Sequence, residues 1–359
     1  MKKASNVLVT GVGGIVGEGI IKCLRMASRG LRNQKGNLHR KYFIIGVDSS
    51  ALAAGLYFSD IGAIVPNANA SEYIDSLISV IKKHNVSAVY LGTDQELDVV
   101  SNRIRQIEKE TGAKVLICSP KVVKISRDKW KTYLFLKKEK LPYVESSLPE
   151  DAFDLIEKFG FPVVVKPREG YGSQQFNIVH DENELGHAIR SIENQGWSPI
   201  IQEYIDGKDN EYTTGVLSDN RNNKIISCIS IKKYIKNGQT YKGIIDNFPE
   251  ARRVAETVAT SLKARGAINV QSKISSGSQK IFEINGRISA TCPMRAAAGV
   301  NEPDLLYRNV ILSEDLKVPY YQKLVSMRYW NEVYVKKRNY ENVISTGLVA
   351  QGTNYDVLS

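Results

Sequence analysis

The residues best suited to chemistry lie in residues 280–291, KIFEINGRISAT, taken together with residues 268–274, INVQSKI. In extended chain, side chains two apart share a face, so Glu283, Asn285 and Arg287 point one way and Phe282, Ile284 and Ile288 the other. The apolar set is the core side. The polar set aligns a carboxylate, an amide oxygen and a fixed cation. Between the two segments, Ser275-Ser276-Gly277-Ser278-Gln279 is a turn cluster. A hairpin centred on Gly277 places Gln271 opposite Glu283. Two or three hard oxygen ligands beside a guanidinium suit Mg²⁺ that also holds phosphate oxygens. The same pattern also fits an amphipathic hairpin with a solvated polar face.

Lys166 is the second candidate. It is the one charge on the apolar strand at residues 161–167, FPVVVKP, and a lysine there is costly without an anionic partner. The strand runs into a glycine loop, residues 168–175, REGYGSQQ, whose free backbone amides suit a phosphate. The alternative is a lysine snorkelling from a strand end.

The elements that must hold these groups begin with a run of alternating strands and helices. A strand at residues 6–10 leads into Gly11-Val12-Gly13-Gly14 and a helix carrying Ile20, Ile21 and Leu24. Strand, glycine turn and helix form the phosphate cradle of dinucleotide folds, and the next strand, residues 42–47, ends in Asp48. This half alone fits an NAD-dependent oxidoreductase as well as it fits a scaffold whose glycines allow close packing. The alternation continues through strands at residues 63–65, 88–91 and 114–118, which implies a parallel sheet covered by helices. Functional groups of such sheets lie at the carboxyl ends of the strands, where Gly11, Gly13, Asp48, Thr93 and Asp94 fall. Asp94 and Glu96 fit turn and helix-cap roles equally well.

Past Pro120 the pattern changes. Ser126 is an N-cap candidate for a helix over 127–140, with Asp128 in its first turn and Lys129 at its start. Helices at residues 151–159 and 183–194 flank the Lys166 strand. Residues 200–205 read as a strand, as do 211–217 and 225–232, and residues 233–247 read as a mobile loop without period. A helix over 250–264, with Ala251, Val254, Ala255, Val258 and Leu262 on one side, precedes the metal-type hairpin. A last helix covers 305–312, and residues 336–359 read as a polar, patternless tail.

At 359 residues the chain can form two or three domains. A net charge of +11 favours anionic partners. The positive residues form no single run, which argues against nucleic acid. Cys23, Cys118, Cys228 and Cys292 are far apart with no CxxC, the pattern of reduced thiols in a cytoplasmic protein rather than of a zinc site. No apolar run is long enough for a membrane span.

Taken in order, a βα domain, a DK-bearing helix, PVVVKP with its glycine loop, IIQEYIDG, VQ and FEINGRIS resemble the ATP-grasp superfamily. The likeness lies in the branch of carbamoyl-phosphate synthase large subunits and amino-acid ligases and covers about residues 5–315. It implies an α/β Rossmann-like pre-ATP-grasp domain (1–120) that does not bind NAD. Two α+β lobes (121–195 and 196–335) then close on Mg-ATP, with 336–359 as the tail. It implies Lys129 and Lys166 on ATP phosphates, with Gly170, Gly172 and Ser173 closing over them. Gln202, Glu203, Tyr204 and Ile205 become the hinge that receives adenine, and Glu211 the ribose-binding glutamate. Gln271, Glu283 and Asn285 become Mg²⁺ ligands, and Arg287 the residue that stabilises phosphoryl transfer. Gly286 stands where proline is common, and Gln271 is neutral where some relatives carry a carboxylate. Arg295 is a candidate contact for a substrate carboxylate or else a surface arginine. Ser289 and Thr291, with Gly13 and Asp94 from the first domain, are further substrate candidates. The implied activity is an ATP-dependent carboxylate–amine ligase acting through an acyl phosphate on small amino-acid- or sugar-derived substrates, with a homodimer as the expected assembly. The competing readings are a nucleotide-binding regulatory protein without turnover and, further off, the oxidoreductase.

Overall fold

The computed structural model describes residues 5–29, 41–170, 175–207, 210–275, 277–316, 320–329, 331–349 and 355–356. The first third is a run of βα units: β1 (Ser5–Val9), α1 (Ile15–Arg29), β2 (Tyr42–Asp48), α2 (Ala54–Phe58), β3 (Ile61–Ile64), α3 (Tyr73–Lys83), β4 (Ala88–Tyr90), α4 (Glu96–Thr111) and β5 (Lys114–Val115). The five strands pair in parallel in the order β3-β2-β1-β4-β5. Successive side chains feed opposite layers. Val7, Val9 and Ile44 pack with Ile20 and Leu24 of α1 on one face. Leu8, Ile45 and Val47 pack with Leu77, Ile81 and Val100 of α3 and α4 on the other.

Next come α5 (Pro120–Arg127), α6 (Lys129–Lys138), β6 (Ser146–Ser147), α7 (Ala152–Phe159), β7 (Val163–Pro167), β8 (Asn177–Val179), α8 (Glu182–Glu193) and β9 (Pro199–Glu203). The single helix expected over 127–140 is instead two. Asp128 is extended between them, and its carboxylate accepts from the amides of Trp130 (2.9 Å) and Lys131 (3.4 Å), capping α6 where Ser126 was expected to cap the whole. The strands form an antiparallel sheet, β6-β9-β7-β8. Val163 and Val165 face α7 and α8, so alternation turns Val164 and Lys166 to the opposite face.

The remainder builds a second six-stranded sheet, β14-β13-β10-β11-β12-β15. Its elements are β10 (Glu211–Ser218), β11 (Ile225–Lys236), β12 (Gln239–Ile245), α9 (Pro249–Ser261), β13 (Gly266–Ser275), β14 (Ser278–Asn285), α10 (Cys292–Ala297), α11 (Glu302–Val310) and β15 (Leu324–Met327). Val254 and Val258 of α9 pack on Val216, Ile268, Val270, Ile281 and Ile284. The loop expected over 233–247 is ordered hairpin, because β11 runs on to Lys236 and β12 pairs with it antiparallel. Nor is 336–359 a patternless tail. It follows β16 (Tyr334–Val335) with α12 (Lys337–Thr346), β17 (Leu348–Val349) and β18 (Tyr355–Asp356). β17 adds an antiparallel strand to β3 through Leu348↔Ala63 and Val349↔Gly62, with Val343 and Val349 buried.

Candidate functional site

The β13–β14 hairpin has the register that the turn at Gly277 implies: Gln271 pairs with Glu283, and Asn269 with Asn285. One side chain departs from the expectation. Ser272 pairs with Ile281, which leaves Phe282 as the extra residue of a β-bulge. The bulge turns Phe282 out of the core, and its ring lies 5.3 Å from Lys166 Nζ and 5.8 Å from Lys233 Nζ. Ile281 and Ile284 supply the core contacts instead.

Around this hairpin the charged groups interlock. Glu211 and Lys233 are cross-strand partners on β10 and β11, and Lys233 Nζ lies 2.6 Å from Glu211 Oε1. Lys233 also donates to Gln271 Oε1, while Gln271 Nε2 donates to Glu283 Oε2 at 3.0 Å. With its oxygen on Lys233 and its amino group on Glu283, Gln271 acts as a clasp. Glu283 and Asn285 are left as the hard-oxygen donors of the row. Among the described residues, no three His, Cys, Asp or Glu side chains gather as a metal site. One carboxylate and an amide oxygen fit a small hard cation that takes its other positions from phosphate and water, as Mg²⁺ does.

Lys166 and Lys129 bring positive charge to the same place. Lys166 is buried, and burial lowers its ammonium to about 7; Lys129 adds to the fall, while Glu283 and Glu211 oppose it. Lys129 is also buried, and its Nζ donates to the carbonyls of Arg168 and Gly170, each at 3.4 Å. Arg168 forks onto Asp128 at 2.7 and 3.2 Å, so one carboxylate caps α6 and pins the start of the glycine loop. Gly172 and Ser173 lie outside the described residues. A narrow pocket joins Lys129 and Gly170 to Glu283, Asn285, Gly286 and Asp94. Gly286 has a steric reason to be glycine here: a Cβ would lie 2.8 Å from Ser126 Oγ.

Arg287 donates a two-pronged pair of hydrogen bonds to Asp94, at 2.8 and 2.7 Å. Asp94 follows β4, so a first-sheet residue fixes the guanidinium plane beside the metal-type row. Burial opposes the Asp94 charge, but Arg287, with Arg127 and Lys129, outweighs it and holds the carboxyl below its usual range. The hinge candidates sit on or just past β9. Glu203 accepts from Lys280 Nζ at 2.7 and 2.9 Å and from the Glu145 amide at 2.8 Å, and Gln202 donates to Ser146 Oγ at 2.9 Å. Both side chains are occupied by protein partners, and Tyr204 and Ile205 follow directly on β9.

The structure moves four other candidates away from the polar row. Arg295 is neither on the surface nor free to meet a substrate. It is fully buried, bonded to Glu302 at 3.1 Å, Thr291 at 2.7 Å and Asn269 at 3.2 Å. Ser289 and Thr291 are buried with it and bond each other at 2.7 Å. Gly13 lies in a separate cavity of the first sheet, where its amide donates to Asp48 at 2.7 Å. Three residues have other places than the sequence suggested: Lys233 was read into a loop, Phe282 onto the core face, and Asp128 only into the first turn of its helix.

Residues 126–291 match the family described as the ATP-grasp domain, and residues 24–116 match that described as PylC-like, N-terminal domain. The carbamoyl phosphate synthase large chain of Helicobacter pylori is 27% identical over 240 residues, covering 60% of this chain and 22% of that protein. The chain thus spans about a fifth of the length of the curated relatives it matches. Among solved structures, it is similar to the biotin carboxylase domain dimer of Hydrogenobacter thermophilus 2-oxoglutarate carboxylase in complex with MgADP, ADP and bicarbonate. That match has a TM-score of 0.70 at 16% identity over 98% of this chain and 77% of that one. It is also similar to an L-amino acid ligase from Bacillus licheniformis, with a TM-score of 0.62 at 16% identity over 87% of this chain and 75% of that one. The mixed α/β chain therefore carries an ATP-grasp domain behind a PylC-like N-terminal domain.

Proposed function

We propose that the protein is an ATP- and Mg²⁺-dependent carboxylate–amine ligase that forms an amide through an acyl phosphate. The observation that carries this reading is the convergence of Lys166 and Lys129 on the face of Glu283, Asn285 and Arg287. Mg²⁺ held by Glu283 and Asn285 would screen the phosphate charge that the two lysines do not reach.

A substrate carboxylate oxygen attacks the γ-phosphorus. A new P–O bond forms as the bond to the β-phosphate oxygen breaks, and the electron pair leaves with ADP. Lys166 and Lys129 meet the phosphate oxygens. Arg287, its plane held by Asp94, meets charge that develops on the transferring group. The amine then attacks the acyl carbon, phosphate leaves, and the amide remains. The elements around the site position these groups: α6 and β7 hold the lysines, and the β13–β14 hairpin holds the oxygens. The L-amino acid ligase neighbour and the bicarbonate-bound carboxylase domain support an amino acid or a small acid as substrates.

The test is Mg²⁺-dependent ADP release with amino acids and sugar acids, singly and in pairs. Release that needs both partners identifies the carboxylate and the amine. Release with an acid alone shows that acyl phosphate forms without capture, and ATP binding without release moves the regulatory reading to the front. In Glu283→Ala, ADP release is expected to fall at least about a hundredfold with the fold retained. Unchanged release there removes the site assignment.

A further inference from the structure

A second cavity lies at the carboxyl edge of the first sheet, apart from the polar row. It encloses about 340 Å³ between the glycine turn and the segments that follow β2, β3 and β4. Its chemistry is one-sided. Asp48 and Glu96 line it, with the hydroxyls of Thr10, Ser49, Ser50, Thr93 and Tyr73, and among the described residues no lysine, arginine or histidine does. Leu52, Ala53, Val65 and Pro66 make the rest of the wall apolar.

A phosphate is the wrong ligand for this place. The Gly13 amide, which would meet a pyrophosphate in a dinucleotide fold, donates to Asp48 Oδ2 at 2.7 Å, and the Ser50 amide donates to Asp48 Oδ1 at 3.0 Å. Glu96 is nine-tenths buried or more, accepting from Thr93 at 2.7 Å and from Thr10. Burial pushes its carboxyl up, the Thr10, Thr93 and Tyr73 hydroxyls pull it down, and the nearby Asp48 charge pushes it up again. Tyr73, 2% exposed, lies beside Glu96 and Thr10 without a well-aligned hydrogen bond for its hydroxyl. Buried hydroxyls of this kind are ordinarily bonded. Two carboxylates without a cation, a buried hydroxyl without a well-aligned partner and an apolar wall are complementary to a cationic head on a short hydrocarbon stem.

We propose that this cavity binds a small alkylammonium compound, its methylenes along Leu52, Ala53, Val65 and Pro66 and its ammonium at Asp48, Glu96 and the Tyr73 hydroxyl. The site is independent of the nucleotide chemistry proposed above. It shares with that site only the short segment after β4, where Thr93 faces one pocket and Asp94 the other.

The experiment is calorimetric titration of the nucleotide-free protein with 1,4-diaminobutane, and with succinate as an anion of matching length. The diamine is expected to bind and succinate not to. Glu96→Gln should weaken the diamine by roughly tenfold or more, the scale of one charge-assisted hydrogen bond. Because Glu96 also holds Thr10 and Thr93, its variant is checked by thermal melting. Ala68→Trp, which fills the cavity and leaves both carboxylates in place, should also abolish binding. No diamine binding, binding to either variant as tight as to the unaltered protein, or binding of succinate as tight as that of the diamine overturns the proposal. ATP titrated separately reports on the ligase reading, so the two can fail independently.

Discussion

Arg287 and Arg295 lie close in sequence and each is paired with a carboxylate, but Arg287 takes its partner from the first sheet and Arg295 from the next helix. Arg287 spans from the metal-type hairpin to Asp94 of the first sheet, and both partners keep about a seventh of their side-chain surface open. Its guanidinium is fixed in plane, with Nη1 also donating to the Ile288 carbonyl at 3.2 Å, and part of the side chain stays exposed. Arg295 is sealed, at 0% exposure against 2% for Glu302, and every partner it has belongs to the protein. Strand β10 makes room for it: a Cβ at Gly215 would come within 2.0 Å of Glu302 and 2.5 Å of Arg295. Residue type alone does not separate the arginine proposed for catalysis from an architectural one. Access does.

Arg287→Met should remove turnover by at least about a thousandfold while ATP binding stays measurable by titration, the scale at which an arginine acts on phosphoryl transfer. Because the single variant strands the Asp94 charge, Asp94→Asn with Arg287→Met should regain stability and not turnover. Regained turnover would place both arginines in the architectural class. Arg295→Met should instead act on folding, costing about 3–5 kcal/mol in denaturant titration because it leaves Glu302 buried and unpaired. Replacing both by Met and Gln should recover much of that loss, and a normal melting profile in the single variant would break the contrast.

Lys166 sharpens the comparison through pH. With its ammonium at about 7 in the free protein, it is largely neutral above that pH. A bound phosphate raises it again, so binding takes up a proton. ATP affinity should therefore fall as pH rises above 7, by at most about tenfold per unit, the limit for one linked proton. Calorimetry in buffers of different ionisation enthalpy reads the uptake directly, and no uptake at pH 8 would place Lys166 away from the phosphates. The smallest effect belongs to the strand that closes the first sheet. Val349→Ala should cost roughly 1–2 kcal/mol of stability without changing ATP affinity.

Much of this architecture was legible because it rests on period and punctuation. A single charge on an apolar strand singled out Lys166, and the turn at Gly277 paired Gln271 with Glu283. What was hidden was set by pairing and packing between elements. Phe282 follows the strand period in the sequence, and only the bulge opposite Gln271 turns it toward the lysines. Residues 233–247 lack a clean alternation because β11 and β12 slip register between Tyr234 and Ile235. Arg295 looks like any arginine until Glu302, Asn269 and Thr291 are brought around it.

The pairing of Leu348 with Ala63 also bears on synthesis. A ribosome delivers the first parallel strands early, but the strand that covers β3 emerges only after both later sheets have been made. Until then β3 is an open edge, with unpaired amides and carbonyls able to recruit another chain. Pairing with the cover strand ends that exposure at the β3 edge.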